Sequence, residues 1–329
     1  MPDWYSGSKS HCDAQTPIPD WGHHMEQGIV AIISCYNARP EYLKTQIDSI
    51  LAQSIPVTVF VRDDGSTHQE TLDALRHYEH DDRVTVTLGK NVGFERGFME
   101  ALRLAPPARY YAFCDQDDKW LPEHAQYAYE QLEARQGADE STPLLYCSGF
   151  YDCDDSLCAS EQQSERPYLI TFENSLAEVA FPGMVMVLNN ALRDLLLLAD
   201  ASQIPGHDWL AYVVATGTGT VIHDGRRTVL KRRHETNVSA GTLTGPRLLV
   251  FRIRTFLFGD YLKRLRTMYG ECSRRYGHLL KPDDKRILQQ FALPNSLGKA
   301  LRKLTWPKRY RATIGDELGL RFMILLGRL

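Results

Sequence analysis

The chain has 329 residues, 43% of them hydrophobic and 24% charged, with a formal net charge of −3. This is the composition of a globular protein with one large domain or two smaller ones, and it excludes collagen-like, disulfide-stapled and disordered classes. The near-neutral total hides a split, because residues 247–329 carry 19 Lys+Arg against 6 Asp+Glu while residues 1–246 carry 19 against 35. A tail so charged is expected to face a polyanion. An anionic membrane surface is one such partner, and nucleic acid is not expected, since no recognition motif accompanies the charge.

Residues 1–27 are polar, with Pro2, Pro17 and Pro19 and no apolar core run, and are read as a loosely docked arm rather than a leader. No run approaches the ~18 apolar residues of a spanning helix. The seven cysteines show no C-x-x-C spacing, so reduced thiols and a cytoplasmic location are expected, peripheral to a membrane if the tail binds one.

From residue 28 the chain reads as alternating strands and helices. The continuous apolar run Gly28–Cys35 has the pattern of a central strand covered on both faces. Leu43, Ile47, Ile50 and Leu51 recur at helical spacing, with Glu41, Lys44, Gln46 and Asp48 on the outer face. Val57–Val61 is a second strand ending in Arg62-Asp63-Asp64-Gly65-Ser66, and Leu72, Leu75 and Tyr78 mark a helix before a third strand over Arg83–Leu88. The turn Gly89–Gly93 opens a helix that Pro106 stops, and Tyr110–Cys114 is a fourth strand. This βαβαβαβ order predicts an α/β fold with a mostly parallel sheet flanked by helices. Beyond it the spacing predicts a helix over 122–135, strands at 144–147 and 181–188, helices from Asn190 and His207, and two short strands at 220–223 and 228–230. The predicted domain spans 28–243, and 244–329 forms a basic helical extension.

The fourth strand runs straight into Asp115-Gln116-Asp117-Asp118. Carboxyl ends of strands are where open α/β sheets bind ligands. Three crowded carboxylates repel one another unless neutralised, and hard oxygen donors suit Mg²⁺ or Mn²⁺ carrying substrate phosphate. The plainer alternative is a solvated acidic loop. No G-x-G-x-x-G follows the first strand and no G-x-x-x-x-G-K-[ST] occurs, which argues against a dinucleotide fold and a P-loop. Tyr36 and the Asp63-Asp64 pair instead suit a nucleobase, one stacking and the other accepting a base N–H. As alternatives, Tyr36 is a core-edge tyrosine and Asp64 a turn residue before Gly65.

Ser34-Cys35-Tyr36-Asn37, Arg62–Ser66, Asn91-Val92-Gly93, Cys114–Trp120 and His207-Asp208-Trp209 occur in the order seen in family-2 glycosyltransferases of the GT-A fold. The D-Q-D-D-x-W and H-D-W forms resemble the bacterial rhamnosyltransferase-like group that builds surface polysaccharides. The resemblance implies that Tyr36 stacks on uracil or thymine, Asp64 accepts its N3–H with Asp63 nearby, and Arg83 and Asp115 help hold the nucleotide. It implies Asp117 and His234 at the metal, with Asp118 in support, and Arg232 and His234 at the diphosphate. Gly183, His207 and Trp209 fall on the acceptor side, and Asp208 matches the general base of an inverting transfer. The implied partners are a dTDP- or UDP-linked sugar, rhamnose first, and a saccharide or lipid-linked saccharide acceptor, and the implied cofactor is Mg²⁺ or Mn²⁺. The chain departs from the group at Lys231, Arg233 and Leu210, which bears on sugar and acceptor identity. A sugar-phosphate nucleotidyltransferase and a non-catalytic nucleotide-sugar or polysaccharide-binding module are the competing classes. The oligomeric state is left open.

Overall fold

β1 (Ile29–Cys35) is buried along its whole length, which is why its sequence shows no polar alternation. It belongs to a computed structural model that describes residues 28–137, 140–161, 167–234, 261–292 and 296–329. The expected arm, residues 1–27, and the domain boundary expected at 243/244 lie outside the described residues.

After β1 come α1 (Pro40–Leu51), β2 (Val57–Asp63), α2 (Gln69–Arg76), β3 (Val84–Leu88), α3 (Phe94–Leu104) and β4 (Tyr110–Cys114). α1 starts on Pro40, which arrives with a helical φ and lacks only a hydrogen-bond donor that the first turn leaves unused. Its outer face differs from expectation at Gln46, which is fully buried beside the Cys114 thiol. Gly93, at φ 91°, turns the chain into α3 with a backbone angle that a side chain resists.

The sheet has eight strands in the order β3-β2-β1-β4-β7-β6-β8-β5, with β5 at Lys119–Trp120, β6 at Leu144–Cys153, β7 at Met186–Asn189 and β8 at Thr220–Arg232. It is parallel through β3-β2-β1-β4, as expected, then turns antiparallel at β7. β6 runs parallel to β8, and the two-residue β5 pairs antiparallel with the end of β8. The two short strands expected at 220–223 and 228–230 are one strand, because β6 continues past Cys147 and pairs with it on both sides of a register shift opposite Gly149, where β8 carries the extra residues. The strand expected at 181–188 begins later, after a 3₁₀ turn at Gly183–Val185.

The remaining helices are α4 (His124–Gln136), α5 (Phe172–Ser175), α6 (Asn190–Leu196), α7 (His207–Thr218), α8 (Tyr261–Tyr276), α9 (Pro282–Phe291), α10 (Leu297–Leu304) and α11 (Ile314–Leu325). The last four make the basic tail helical, as expected. Tyr269 donates its hydroxyl to the Leu176 carbonyl and Tyr276 to the Leu195 carbonyl, so α8 is pinned to the sheet domain.

Asn189 locks the sheet's antiparallel turn. Its Oδ1 accepts from Leu192 N (3.1 Å), capping α6, and from Leu144 N (2.9 Å), while its Nδ2 donates to the Thr142 carbonyl (2.9 Å). Asn189→Ala strands these buried groups and is expected to cost about 2–3 kcal/mol. The expected readout is a lower urea midpoint at unchanged slope.

Candidate active site

Parallel register sets Cys35 level with Asp63 and Ile33 level with Cys114, so Tyr36, Asp63, Asp64 and Asp115 leave the sheet along one edge. Side-chain bonds lace these loops together. The Tyr36 N–H donates to Gln116 Oε1 (2.9 Å) and Gln116 Nε2 donates to the Tyr36 carbonyl (3.3 Å), joining the first turn to the acidic loop. Asn37, at φ 45°, accepts through Oδ1 from Thr67 N (2.8 Å) and His68 N (3.1 Å), joining it to the second. The Tyr36 ring stays 47% exposed, as a stacking platform requires.

The paired carboxylates divide their work differently from expectation. Asp64 is only 2% exposed and its carboxylate is occupied, accepting from Arg62 Nη1 (2.5 Å), Val92 N (2.9 Å) and Gly93 N (2.9 Å). It holds the Gly89–Gly93 turn and is not presented to a base. Asp63 accepts from Gly65 N (3.1 Å) and Ser66 N (2.9 Å) through Oδ2, while its buried Oδ1 has no hydrogen-bond partner. The nucleotide role expected of Arg83 also fails on geometry. Arg83 lies just before β3, whose Val84 pairs with Val59 near the start of β2, and it is tied to Asp81 and the Leu51 carbonyl. From there to Asp63 is about 13 Å at ~3.3 Å per residue. The guanidinium at the site edge is Arg62, whose Nη2 donates to the Lys90 carbonyl (3.0 Å). An arginine in a buried strand directly before an acidic pair was the available signal.

Asp115, Asp117 and Asp118 bring carboxylate oxygens within 4.8 Å of one another. Burial first, then the charge of Asp117 and, more weakly, that of Asp208, push the Asp115 carboxyl up to about 7, with Lys231 acting the other way. Burial and the same neighbours raise Asp118 well above the usual carboxylate range. Its Oδ1 accepts from Arg232 N (2.9 Å), and its buried Oδ2 has no hydrogen-bond partner. A compact all-oxygen set with an unspent buried acceptor fits a hard divalent cation such as Mg²⁺ or Mn²⁺.

The β5–β8 pairing explains why residues more than a hundred positions apart meet here. Lys119 pairs with Leu230, so Lys231, Arg232 and His234 return beside the acidic loop. His234 Nε2 lies 2.6 Å from Asp117 Oδ2, which joins the two residues expected at the metal. Arg232, expected on phosphate, is buried instead. Its guanidinium lies 4.2 Å from the Tyr42 ring centroid, its Nε donates to the Asp117 carbonyl (2.9 Å), and its Nη1 donates to the Asp155 carbonyl. It clamps the acidic loop. Tyr42, on the buried side of α1, is a contributor that periodicity alone did not single out.

The side expected to face an acceptor is built by α7 and the 3₁₀ turn. His207 is buried, stacked on Phe98 (4.0 Å between centroids) and edge-on to Phe113 (4.7 Å). Burial lowers its pKa and neither ring nitrogen has a hydrogen-bond partner. Trp209 is buried too, donating Nε1–H to the Ser175 carbonyl (2.7 Å). Both were expected to face an acceptor, and both are packing residues, His207 seating the helix start against α3 and β4 and Trp209 tying it to α5. Asp208 between them is half-buried, its Oδ1 accepting from Trp209 N (2.7 Å). Gly183 makes room, since a Cβ there would lie 2.5 Å from His207 Nε2 and 3.4 Å from Asp208 Cβ.

Residues 30–143 match the protein-family model described as glycosyl transferase family 2. This part of the chain is a family-2 glycosyl transferase segment. The chain is also 34% identical over 110 residues to TuaG of Bacillus subtilis (strain 168), a glycosyltransferase assigned to teichuronic acid biosynthesis. That match covers 32% of this chain and 43% of TuaG. Among solved structures, S. aureus TarS 1–349 superposes with a TM-score of 0.55 at 16% identity, covering 92% of this chain and 80% of that one. The same fragment in complex with UDP-GlcNAc gives 0.56 at 15% identity, covering 91% and 81%. The fold is thus the GT-A type. The family-2 segment carries Tyr36, Asp63 and the acidic cluster, whereas Gly183, Asp208 and His234 come from chain beyond it.

Two expectations test this geometry. Mn²⁺ should raise the melting temperature more at pH about 8 than at about 6, because Asp115 must lose its proton to act as a ligand. Equal stabilisation at both values would speak against these carboxylates. Gly183→Ala should destabilise the fold by about 1–3 kcal/mol through overpacking against His207, measured by chemical denaturation.

Proposed function

We propose that the protein transfers a glycosyl group from a nucleoside-diphosphate sugar to a saccharide hydroxyl, with inversion at the anomeric carbon. The observation carrying this reading is that Phe113, two positions before Asp115, packs edge-on against His207, the residue before Asp208 at the start of α7. That packing supports a proton acceptor at Asp208 working beside the acidic cluster.

The division of labour follows from the chain. Tyr36 offers a ring face to the base, beside the turn that Asp63 holds through Gly65 N and Ser66 N. Asp117, with His234 on its Oδ2 and Asp115 and Asp118 beside it, would hold Mg²⁺ or Mn²⁺, which when bound offsets charge on the leaving diphosphate. Asp208 takes the proton of the attacking hydroxyl, whose pKa lies far above 7, as the new glycosidic bond forms and the sugar–phosphate bond breaks. The Trp209 N–H and the absence of a side chain at Gly206, where a Cβ would sit 2.6 Å from Asp208 Oδ1, hold that carboxylate in place.

The UDP and UDP-GlcNAc complexes of TarS support UDP-linked donors, and the motif resemblance supports dTDP-rhamnose, so these are the first donors to screen. A saccharide of a surface polymer is the acceptor class in keeping with TuaG. Asp208→Asn should lower turnover by roughly 10²–10⁴-fold while leaving nucleotide binding intact. Unchanged donor turnover would instead support a binding module, and release of pyrophosphate from a nucleoside triphosphate would support a nucleotidyltransferase.

A further inference from the structure

α11 is turned inside out. Its charged residues point inward: Glu317 accepts from Tyr310 N and Arg311 N (both 2.8 Å) and from Arg321 Nε (2.7 Å), while Asp316 is tied to the capping Thr313. Leu320, Met323 and Ile324 are buried. The arc left to solvent is Ile314, Leu318, Phe322, Leu325 and Leu326 with Gly315 and Gly319, and it carries no charge. Phe322 is 59% exposed and Ile314 69%. A helix face with this much exposed apolar side chain is normally covered. α10, whose Leu297 and Leu301 are also exposed, continues the apolar character of this end of the molecule.

We infer that this face seats the protein on an anionic lipid bilayer, with α11 lying flat in the interface. Charge selects the occupant. Residues 261–292 and 296–329 hold 16 Lys+Arg against 5 Asp+Glu. Arg302 in α10, Arg309 between α10 and α11, and Arg328 just past α11 are exposed. At the far end of α11 the Arg328 carbonyl accepts from Arg266, which with Lys263 and Arg274 lines a groove of about 520 Å³. A second copy docking by the same face would bring the same positive rim against it, since a two-fold contact is self-complementary. Anionic headgroups relieve that charge while acyl chains cover the arc. No described helix is long and apolar enough to cross a membrane, so the contact is a surface one.

The test is flotation of the full chain with phosphatidylcholine vesicles, with and without phosphatidylglycerol. The protein is expected to float only with the anionic vesicles, and less as salt is added. Leu318→Glu with Phe322→Glu should weaken flotation roughly tenfold or more, with circular dichroism and UDP-dependent melting shifts unchanged. Should that pair fail to fold, Arg302→Glu with Arg309→Glu should still reduce the anionic preference. No flotation at low salt would overturn the inference. So would full flotation of a folded double variant, or a wild-type dimer that the substitutions dissolve. The inference stands apart from the proposed transfer reaction, because nucleotide binding is read separately in the same samples.

Discussion

The structure depends on keeping three carboxylates together at the end of one strand. At an effective dielectric of ~20, two unit charges within 4.8 Å cost at least about 3 kcal/mol. Burial adds to that repulsion, and the two together push the Asp115 carboxyl up to about 7. The surroundings soften the cost without removing it. Lys231 lies near enough to favour ionisation, Arg232 offers Asp118 its backbone N–H, and His234 sits on Asp117. What they leave is a buried Asp118 oxygen with no hydrogen-bond partner, a feature that fits a divalent cation.

Topology makes that arrangement available from distant stretches of chain. The parallel half of the sheet levels three strand ends and delivers Tyr36, Asp63 and Asp115 to one edge. The antiparallel β7 then enters beside β4, so that its preceding turn and Gly183 arrive at the same edge. Two residues of β5 suffice to bring the end of β8 over the acidic loop. A second concavity of about 650 Å³, lined by Arg109, Glu140 and Asn190 among others, lies at the opposite end of the strands and shares none of these groups.

Much of this was legible in the sequence, and the failures share a cause. Continuous apolar runs located β1, β2 and β4 because both faces of those strands are covered, and the acidic loop declared itself by charge density. Sequence order also named Asp117 and His234, whose side chains lie 2.6 Å apart. Spacing could not say which polar residues the fold consumes. Asp64, Arg232, His207 and Trp209 sit in the right place, but their side chains are buried as braces, and burial is a tertiary property. Arg83 was misplaced because a strand's first residue and its last differ by a strand length, and only the last faces the ligand edge. Arg62 escaped notice because its polar partners, Asp64 and the Lys90 carbonyl, come from the folded interior, and the burial of Gln46, whose amide atoms have no hydrogen-bond partner, has no such explanation.

The central claim is that the acidic cluster and Asp208 line a single cleft that holds a nucleotide through a divalent ion. A crystal soaked with Mn²⁺ and UDP tests it most directly, with the metal located by its anomalous scattering. The account predicts a peak about 2.1–2.3 Å from an Asp117 oxygen, diphosphate oxygens on the same ion, and the uracil ring against Tyr36. A metal peak away from Asp115, Asp117 and Asp118, or a nucleotide bound at another face, would contradict it.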